Sequence, residues 1–424
     1  MAIDTGDTAW MLVAGSLVLL MIPALGLFEA GLLRKKNTVS IFMQIFFGLA
    51  LLSVMWFVFG FSLVFGPDET GGLAGNLDYV FLKNVPWDDS LDYAPTIPGV
   101  LFAKFQLMFA CITPLLLTGT IAERMKFSAY IPFIVIWSIL IYYPLTHWIW
   151  GGGWLGEMGV VDFAGGIVIH TSVGMGALAA AMVLGRRRNY GPSIMVPHSI
   201  PIAVLGSSLL WLGWFGFNAG SALASGGLAG NTVIVTHMAS SVSVLIWVGL
   251  SWMRTGKPSV VAAINGAIAG LAGITPVSGF VSVEHAFVIA IAIGVASYCG
   301  VVLIKERFKI DDALDVSSVH GIAGIIGALA IGVFASSAIN PAGPDGLLFG
   351  NPDQLLIQAI GVAVAAALGF GGTYAILKVL KFIIGIRVSK EVEDAGLDIG
   401  EHAEQAYADE EEFKLDEELQ TPHK

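Results

Sequence analysis

The stretch Asp162–Leu178, DFAGGIVIHTSVGMGAL, raises the question of the fold, because it is an apolar segment of membrane type that carries an imidazole. His170 follows Asp162 by about two helical turns. A hydrocarbon interior supplies no water to this side chain, so the ring either bonds to a neighbouring helix or lines a polar path. This segment alone leaves both interpretations open.

The composition of the whole chain is that of a membrane protein. Of its 424 residues, 56% are hydrophobic and only 12% are charged, whereas soluble proteins have roughly 25% charged residues. About 20 apolar residues are needed to cross the hydrocarbon core of a bilayer. The sequence therefore predicts an all-α integral membrane protein, embedded in a lipid bilayer, with eleven transmembrane helices. These helices are predicted at residues 9–33, 39–65, 98–121, 128–147, 163–184, 197–222, 229–253, 258–277, 283–304, 314–336 and 354–384.

The basic residues indicate how these helices are oriented. Cytoplasmic loops retain Lys and Arg, and 19 of the 21 basic residues fall in alternate loops or near and in the C-terminal segment. Only Lys83 and Lys104 lie elsewhere. We therefore expect a multi-pass protein of the cell membrane, with its N-terminus outside and its C-terminus in the cytoplasm.

A second stretch, Asp315–Leu329 with the sequence DVSSVHGIAGIIGAL, is similar to the first. Each has an Asp ahead of its histidine, a Gly four residues after it and a closing Gly-Ala-Leu. The two stretches fall on the predicted fifth and tenth helices, which indicates inverted five-helix repeats followed by a final long helix. His170 and His320 would then lie on antiparallel helices. Counted at about 1.5 Å per residue from the predicted helix starts, however, they lie roughly 10 Å apart in depth.

Two imidazoles in contact could pass a proton along an otherwise apolar path. Imidazole both accepts and donates a proton near neutral pH, and ionisable residues inside membranes commonly line ion or proton paths. The alternative is structural, since one His can bond to a neighbouring helix, a contact worth ~0.6 kcal/mol. The occurrence of His170 and His320 in similar settings favours the relay.

Two aromatic stretches end predicted helices at the outer surface. They are HWIWGGGW, His147–Trp154, and WLGWFGFNAGSA, Trp211–Ala222. Trp at this depth is ordinarily a membrane anchor. A ring face can also bind a cation for ~0.5 to 2 kcal/mol, and the glycines at 151–153 leave room for a small ion.

Asp162 stands where the fifth helix is predicted to begin. As an N-cap it would accept hydrogen bonds from the first turn of that helix. Its charge could also raise the local concentration of cations. The first role is favoured and the second stays open.

The formal charge of −11 is concentrated at the C-terminus, where thirteen acidic residues stand against four basic ones from Arg387 onward. The sequence therefore predicts a transmembrane domain at residues 1–386 and an acidic cytoplasmic tail at 387–424. Such a tail is commonly solvated. Glu401, Glu404 and Tyr407, however, have the i, i+3, i+6 spacing of one helix face. The alternative is a tail docked on the loops that carry Arg124, Lys126 and Arg186–Arg188.

The segment DFAGGIVIH resembles the signature of the ammonium transporter family (Amt/Mep/Rh), and the resemblance runs from DTAWML at Asp7 through WFGFNAGSA and VHGIAG to GLDIGEHAEQAY at Gly396. It implies a homotrimer of eleven-helix protomers with a pore through each subunit. The implied substrates are ammonium and methylammonium, and the implied partner is a PII-type signal protein on the cytoplasmic face. An ammonium sensor that signals through a partner and a channel for a neutral small solute remain alternatives.

The resemblance also implies the site residues. Phe109, Trp150 and Ser221 would bind ammonium at the outer mouth, near Asp162. Phe109 and Phe217 would form a gate below this site. The pore beneath the gate would be lined by Trp214, His170 and His320.

Two positions depart from the pattern of the family. Glu29 stands where an aromatic residue is common, and it is expected to pair with the cluster Arg34–Lys36. Ser317 and Ser318 stand where the family often has an aromatic residue and a Gly. The two serines bear on how apolar the inner exit is.

Nothing in the sequence indicates an enzyme. No phosphate loop, metal-ligand cluster or nucleophile triad stands out. We therefore expect no cofactor, no metal and no nucleic-acid partner.

Overall fold

The computed structural model describes residues 2–188, 190–191 and 196–407. Within these residues the chain is helical, with isolated β-bridges and no strand. The apolar helices are α1 Thr5–Leu32, α2 Lys35–Phe65, α3 Gly99–Ile121, α4 Phe127–Glu157, α5 Gly166–Leu184, α6 Ile200–Gly220, α7 Gly227–Thr255, α8 Val260–Ile274, α9 Val283–Arg307, α10 Ser317–Phe334 and α11 Asp353–Ile383.

Ten of these helices are long and apolar enough to cross a bilayer. The remaining helix, α8, has 15 residues, fewer than the ~20 that a perpendicular span needs. Most predicted spans begin and end within a few residues of the observed helices, although α4 continues past its predicted end at 147. The last of the apolar helices, α11, is the predicted long one, with 31 residues. The all-helical membrane architecture is confirmed.

The outer surfaces of the long helices are apolar. Leu245 on α7 is 72% exposed, and Phe382 at the end of α11 is 91% exposed. A soluble protein seldom leaves such residues in contiguous contact with water. Hydrocarbon tails of lipid can cover them, as expected for a multi-pass membrane protein.

Small residues bring α1 and α6 into backbone contact. A Cβ at Gly206 would lie 2.3 Å from the backbone nitrogen of Phe28, and one at Gly216 would lie 2.6 Å from Cβ of Leu17. Lipid gives membrane helices no hydrophobic reason to associate, so close packing of this kind supplies their attraction. The first helices of the two predicted repeats therefore form one tight pair.

The crossing of α5 and α10 is antiparallel. A Cβ at Gly174 would lie 2.1 Å from Cα of Gly321, and a Cβ at Gly324 would lie 2.8 Å from Cβ of His170. Gly174, later in α5, thus faces Gly321, early in α10, and Gly324, later in α10, faces His170, earlier in α5. This crossing brings the two histidines to the same level.

Both of these helices begin inside the protein. Asp162 is 5% exposed and accepts hydrogen bonds from the first turn of α5, while the fully buried Asp312 accepts from the backbone and the hydroxyl of Ser317 at the start of α10. The predicted separation of roughly 10 Å in depth between His170 and His320 was wrong, because it placed both helix starts at the membrane surface. Asp312 precedes His320 by the same eight residues that separate Asp162 from His170. The residue that matches Asp162 is therefore Asp312, since Asp315 pairs with Lys305 at 2.7 Å.

A buried ionic cluster closes the end of the bundle at which α1 and α5 finish. Glu123 accepts from Arg34 at 2.9 Å and from Arg187 at 2.6 Å, and Arg187 also pairs with Asp311 at 2.8 Å. Burial alone would raise the pKa of Glu123, but Arg187 and Arg34 outweigh it and hold that pKa below its ordinary value. The predicted pairing of Glu29 with Arg34–Lys36 was wrong, because Glu123 occupies that position and Glu29 bonds to Thr118 instead.

The segment after α11 lies against this same end, which we call the tail side. It contains two short helices, α12 Lys390–Ala395 and α13 Leu397–His402. Because α13 ends at His402, Glu404 and Tyr407 do not share its face, and that detail of the sequence interpretation was wrong. Residues 408–424, which include seven of the thirteen acidic side chains, lie outside the described residues, so their solvated state stays a prediction.

The docked contacts of the tail involve some of the predicted basic loops. Asp394 pairs with Arg188 at 2.9 Å, and Glu401 accepts from the backbone N–H of Phe127 at 2.9 Å. Arg124 is fully buried, and its guanidinium donates to the carbonyl of Asp311 at 2.7 Å rather than to an acid of the tail. Only its backbone carbonyl accepts from the segment, at the N–H of Val388.

Candidate outer cavity and pore

A cavity of about 440 Å³ opens at the end of the bundle opposite the tail side. It is lined by several aromatic rings and a few polar groups, among them Phe109, Trp150, Asp162 and Ser221. We call it the aromatic cavity. The four residues predicted for ammonium binding are therefore brought together: Phe109 lies on α3, Trp150 on α4, Ser221 directly after α6 and Asp162 in the segment before α5.

The ring of Trp150 is held in place by one hydrogen bond. Its Nε1–H donates to the backbone carbonyl of Asp162 at 2.8 Å, and its ring lies edge-on to Phe109 with centroids 6.2 Å apart. A membrane anchor would present its N–H to the interface. The N–H of Trp150 instead ties the end of α4 to the segment before α5, which leaves the ring as part of the cavity wall.

The side chains of Asp162 and Ser221 already have partners within the protein. Two N–H groups donate to each carboxylate oxygen of Asp162, at 2.7 to 3.0 Å, and come from Gly165, Gly166, Ile167 and Val168. Burial raises the pKa of Asp162, while these four donors favour its charged form. The hydroxyl of Ser221 donates to the carbonyl of Phe217 at 2.9 Å, so its lone pairs remain for a donor in the cavity.

Two phenyl rings separate the aromatic cavity from the space below it. Phe109 lines the cavity and Phe217 lines that space, and their centroids are 4.6 Å apart at 75°. Each is about 1% exposed. The edge-to-face arrangement is a favourable aromatic contact, so it costs free energy to part the rings.

The space beneath these rings is a small apolar lumen of about 20 Å³. Aliphatic and aromatic side chains of several helices enclose it, together with His170 and His320. The volume is close to that needed by one water-sized molecule. A hydrated ion does not fit in a space of this size.

The two histidines of the lumen are in contact through like atoms. Nδ1 of His170 lies 3.2 Å from Nδ1 of His320. One of these nitrogens must carry the hydrogen and the other must accept it. Nε2 of His170 has no partner among the described residues, so this buried nitrogen is free to exchange a hydrogen bond with a molecule in the lumen.

Trp214 fixes the ring of His170 from the side. The two rings stack with centroids 5.6 Å apart, and Nε1 of Trp214 donates to Oγ1 of Thr275 at 2.9 Å. The indole N–H therefore does not face the lumen. Trp214 is part of the wall of the lumen and presents no polar group to it.

Gln106 and Thr275 bear on the site and were not identified from the sequence. Gln106 is 8% exposed, lines the aromatic cavity, and its Oε1 has no partner within the described part of the chain. It precedes Phe109 by three residues on α3, so a lone amide at helical spacing from an aromatic residue was the available signal. No comparable signal marks Thr275.

A second cavity, of about 460 Å³, lies on the tail side. Charged side chains dominate its wall, including Arg34, Arg186, Arg187 and Lys305. The described residues contain no group of three or more His, Cys, Asp or Glu arranged to hold a metal ion. The structure thus combines an aromatic cavity, a closed phenyl pair, a narrow lumen with two imidazoles and a cavity with charged side chains on the tail side.

Comparison with characterised relatives gives this arrangement a context. The chain is 52% identical over 408 residues to ammonium transporter 1 of Dictyostelium discoideum, covering 95% of this chain and 88% of the relative. It is 42% identical over 402 residues to the ammonium transporter Amt1 of Archaeoglobus fulgidus, covering 95% and 99%.

Solved structures agree with the relatives. Mep2 of Saccharomyces cerevisiae superposes with a TM-score of 0.86 at 32% identity, over 92% of this chain and 89% of that one. A protein described as a sensor Amt protein gives the same TM-score at 31% identity, over 94% and 98%. The sequence profile of the Ammonium Transporter Family matches residues 9–407, and the chain belongs to that family.

Proposed function

We propose that the protein carries ammonium across the cell membrane, and that methylammonium follows the same route. The observation that carries the proposal is the contact of His170 with His320 at 3.2 Å in a lumen too small for a hydrated ion. The relatives of Dictyostelium discoideum and Archaeoglobus fulgidus are both named ammonium transporters, which agrees with the proposal and points away from an enzyme.

Ammonium is captured in the aromatic cavity. The faces of Trp150 and Phe109 offer a cation–π site, and Ser221 offers lone pairs to an N–H donor. Asp162 acts here mainly through structure, because its carboxylate caps α5 and its carbonyl orients Trp150. Its charge adds a long-range attraction for cations.

Passage through the lumen requires that the ion give up its proton. Bare potassium is close to ammonium in size but has no proton to release, so it would have to enter an apolar space without its hydration shell. Neutral NH3 can pass Phe109 and Phe217 when these rings part. The released proton is accepted at Nε2 of His170, which has no other partner among the described residues, while the Nδ1–H of His170 passes to Nδ1 of His320 and a proton leaves His320 on the tail side.

The finer architecture is part of the same proposal. We propose eleven spans, with α8 as a short one, arranged as two inverted five-helix repeats followed by α11. The antiparallel crossing of α5 and α10 supports this arrangement. The aromatic cavity would face outward and the tail side the cytoplasm, in keeping with the basic residues of the tail-side loops.

Assembly and regulation are likewise proposed. We expect a homotrimer with one pore in each subunit, a transmembrane domain at residues 1–386 and a regulatory tail at 387–424. A PII-type signal protein is the proposed cytoplasmic partner. The charged cavity of the tail side is the surface available to it.

A transport assay in proteoliposomes tests the proposal. Purified full-length protein should give ammonium and methylammonium uptake that saturates with concentration, and potassium should give neither uptake nor current above empty vesicles. Equal passage of ammonium and potassium would contradict the role of the apolar lumen. Passage of a neutral solute such as urea at the same rate would favour a neutral-solute channel, for which the aromatic cavity has no use.

A further inference from the structure

Glu29 is a buried acid that the transport path described above does not use. It lies in the last turn of α1 and is 2% exposed. Within the described residues it forms no ion pair, whereas the nearby buried carboxylates of Glu123 and Asp311 are paired with arginines. An unpaired carboxylate anion in such a place carries a large desolvation cost.

The hydrogen bonds of Thr118 define the protonation state of Glu29. The oxygen Oγ1 of Thr118 lies 2.5 Å from the carbonyl oxygen of Leu115 and 2.7 Å from Oε2 of Glu29. A hydroxyl has one hydrogen to donate, and a carbonyl can only accept. One hydroxyl hydrogen does not serve both short contacts, and the carboxyl group of Glu29 is the partner that can carry a second hydrogen.

The carboxyl group lies at a junction of three segments. A Cβ at Gly119 would lie 2.9 Å from Oε1 of Glu29 on one side and 2.9 Å from Cγ2 of Val316 on the other. The backbone N–H of Leu314 donates to the carbonyl of Gly119 at 3.1 Å. The end of α1, the end of α3 and the segment before α10 are thus packed in series.

This junction adjoins the lumen at two points. Phe28, the neighbour of Glu29 in α1, lines the lumen together with both histidines. Val316 stands one turn before His320 in the chain. A change at the carboxyl group therefore reaches the floor of the pore through both flanks.

We propose that Glu29 is a neutral carboxylic acid, and that the hydrogen bond from its proton to Thr118 positions the entry to α10 and with it His320. The positioning of His320 rests on the proposed transport function, whereas the protonation state of Glu29 does not. Glu29 is a positioning residue in this proposal and does not contact the transported molecule. Loss of its proton leaves the one hydroxyl hydrogen of Thr118 for two acceptors, Glu29 and the carbonyl of Leu115, so one of the two contacts is lost and the junction loosens.

The ionisable groups of the surrounding elements are already engaged elsewhere. Tyr130 donates to Gln44, Arg34 pairs with Glu123, Lys305 pairs with Asp315, and Asp312 accepts from Thr120 and Ser317. Among the described side chains, none of these supplies a counter-charge to Glu29. We therefore expect transport to fall at alkaline internal pH as Glu29 ionises.

Infrared spectroscopy of the full-length protein at neutral pH tests the proton directly. The wild type should show the C=O stretching band of a protonated carboxylic acid, and Glu29→Gln should lose that band. A difference spectrum without such a band overturns the proposal. This measurement does not depend on transport, so it stands even if the proteoliposomes fail to carry ammonium.

Two matched variants test the positioning role. Glu29→Gln keeps a donor for Thr118, so its transport at neutral pH should stay close to the wild type, and its alkaline decline should disappear. Glu29→Leu removes the donor and should reduce the maximal rate by about tenfold or more while the trimer remains monodisperse. Equal losses in both variants, or no loss in a folded Glu29→Leu protein, would overturn the positioning role.

Discussion

Nδ1 of His170 and Nδ1 of His320 lie 3.2 Å apart, although 150 positions separate the two residues in the chain. The antiparallel crossing of α5 and α10 at Gly174 and Gly321 produces this contact, because only glycines let the two backbones approach so closely. The pair is enclosed by apolar side chains and sealed from the aromatic cavity by Phe109 and Phe217. From the aromatic cavity, therefore, only molecules that pass Phe109 and Phe217 reach the two histidines.

Replacement of either histidine by Ala should reduce selective ammonium transport by about 10²-fold or more, the usual contribution of a positioned proton acceptor. His170→Glu or His320→Glu keeps an ionisable group and should retain conduction with altered selectivity. Uptake of ammonium and potassium in proteoliposomes measures both effects. Normal rates and selectivity in both Ala variants would contradict the proton relay.

Trp150→Leu should raise the ammonium concentration for half-maximal transport by about 2- to 30-fold, because it removes a cation–π face worth ~0.5 to 2 kcal/mol. Trp148→Leu is the matched control, since Trp148 also donates to a backbone carbonyl, at Leu73, but does not line the cavity. A purely anchoring role would alter both variants alike, in expression or thermal stability rather than in apparent affinity.

Asp162→Ala should destabilise the start of α5 by at least ~2 kcal/mol, because it deprives four backbone N–H groups of their acceptors. Asp162→Asn retains one acceptor oxygen and should be intermediate. Thermal unfolding in detergent ranks the stability of the wild type, Asp162→Asn and Asp162→Ala. Asp88→Ala, at an exposed side chain, is the control. An Ala variant as stable as the wild type would show that water replaces the carboxylate.

The ionic cluster on the tail side should make stability depend on acid pH. The pKa values of Glu123 and Asp311 are held below their ordinary values, because although burial opposes ionisation, the arginines beside them favour the charged forms more. Their contribution is fully present above the unfolded pKa values of about 4.3 and 3.9, and it is lost as pH falls through the lower folded values.

We therefore expect the unfolding temperature to be nearly constant from about pH 7 to 5 and to drop below about pH 4. Glu123→Gln should be less stable at neutral pH and show a smaller acid-dependent drop. Glu404→Gln, at an exposed side chain, should behave as the wild type. A drop of equal size in Glu123→Gln would assign the acid transition to other groups.

The sequence predicted the helices better than the contacts between them. Apolar length and the alternation of basic loops are local signals, and they located the spans. The meeting of His170 and His320 depends on where α5 and α10 begin in depth, and only the buried caps Asp162 and Asp312 decide that. The proposed gate had no signal in the residues themselves, since Phe109 and Phe217 are two among 25 phenylalanines. Their places were implied by the family resemblance alone.

The acids of the tail-side region illustrate the same limit. Glu29 is close in sequence to Arg34, and that proximity suggested an ion pair. The chain turns after Leu32, however, and the side chain of Glu29 points to the end of α3 while Arg34 meets Glu123. Pairing across helices follows the direction of each side chain, which sequence distance does not reveal.

Several contacts hold the tail segment 388–407 against the tail side of the bundle. Glu393 accepts from Arg387 and from the backbone N–H of Arg188, and Asp398 accepts from the N–H of Ser40 at 2.9 Å. Tyr407 meets His198 at 3.0 Å. These contacts tie the first turns of α2 to the loop after α5 through the segment 388–407.

Truncation after Arg387 should therefore leave the proposed trimer folded but change the transport rate or abolish cooperation between subunits, because it removes every one of these bonds. Truncation after Tyr407 keeps them and should have little effect. Uptake rates and their dependence on mixed wild-type and truncated subunits provide the measurement, with size-exclusion chromatography to verify assembly. Equal activity in both truncations would mean that the docked segment has no influence on the pore, and failure of a PII-type protein to bind the full-length carrier in any nucleotide state would remove the proposed partner.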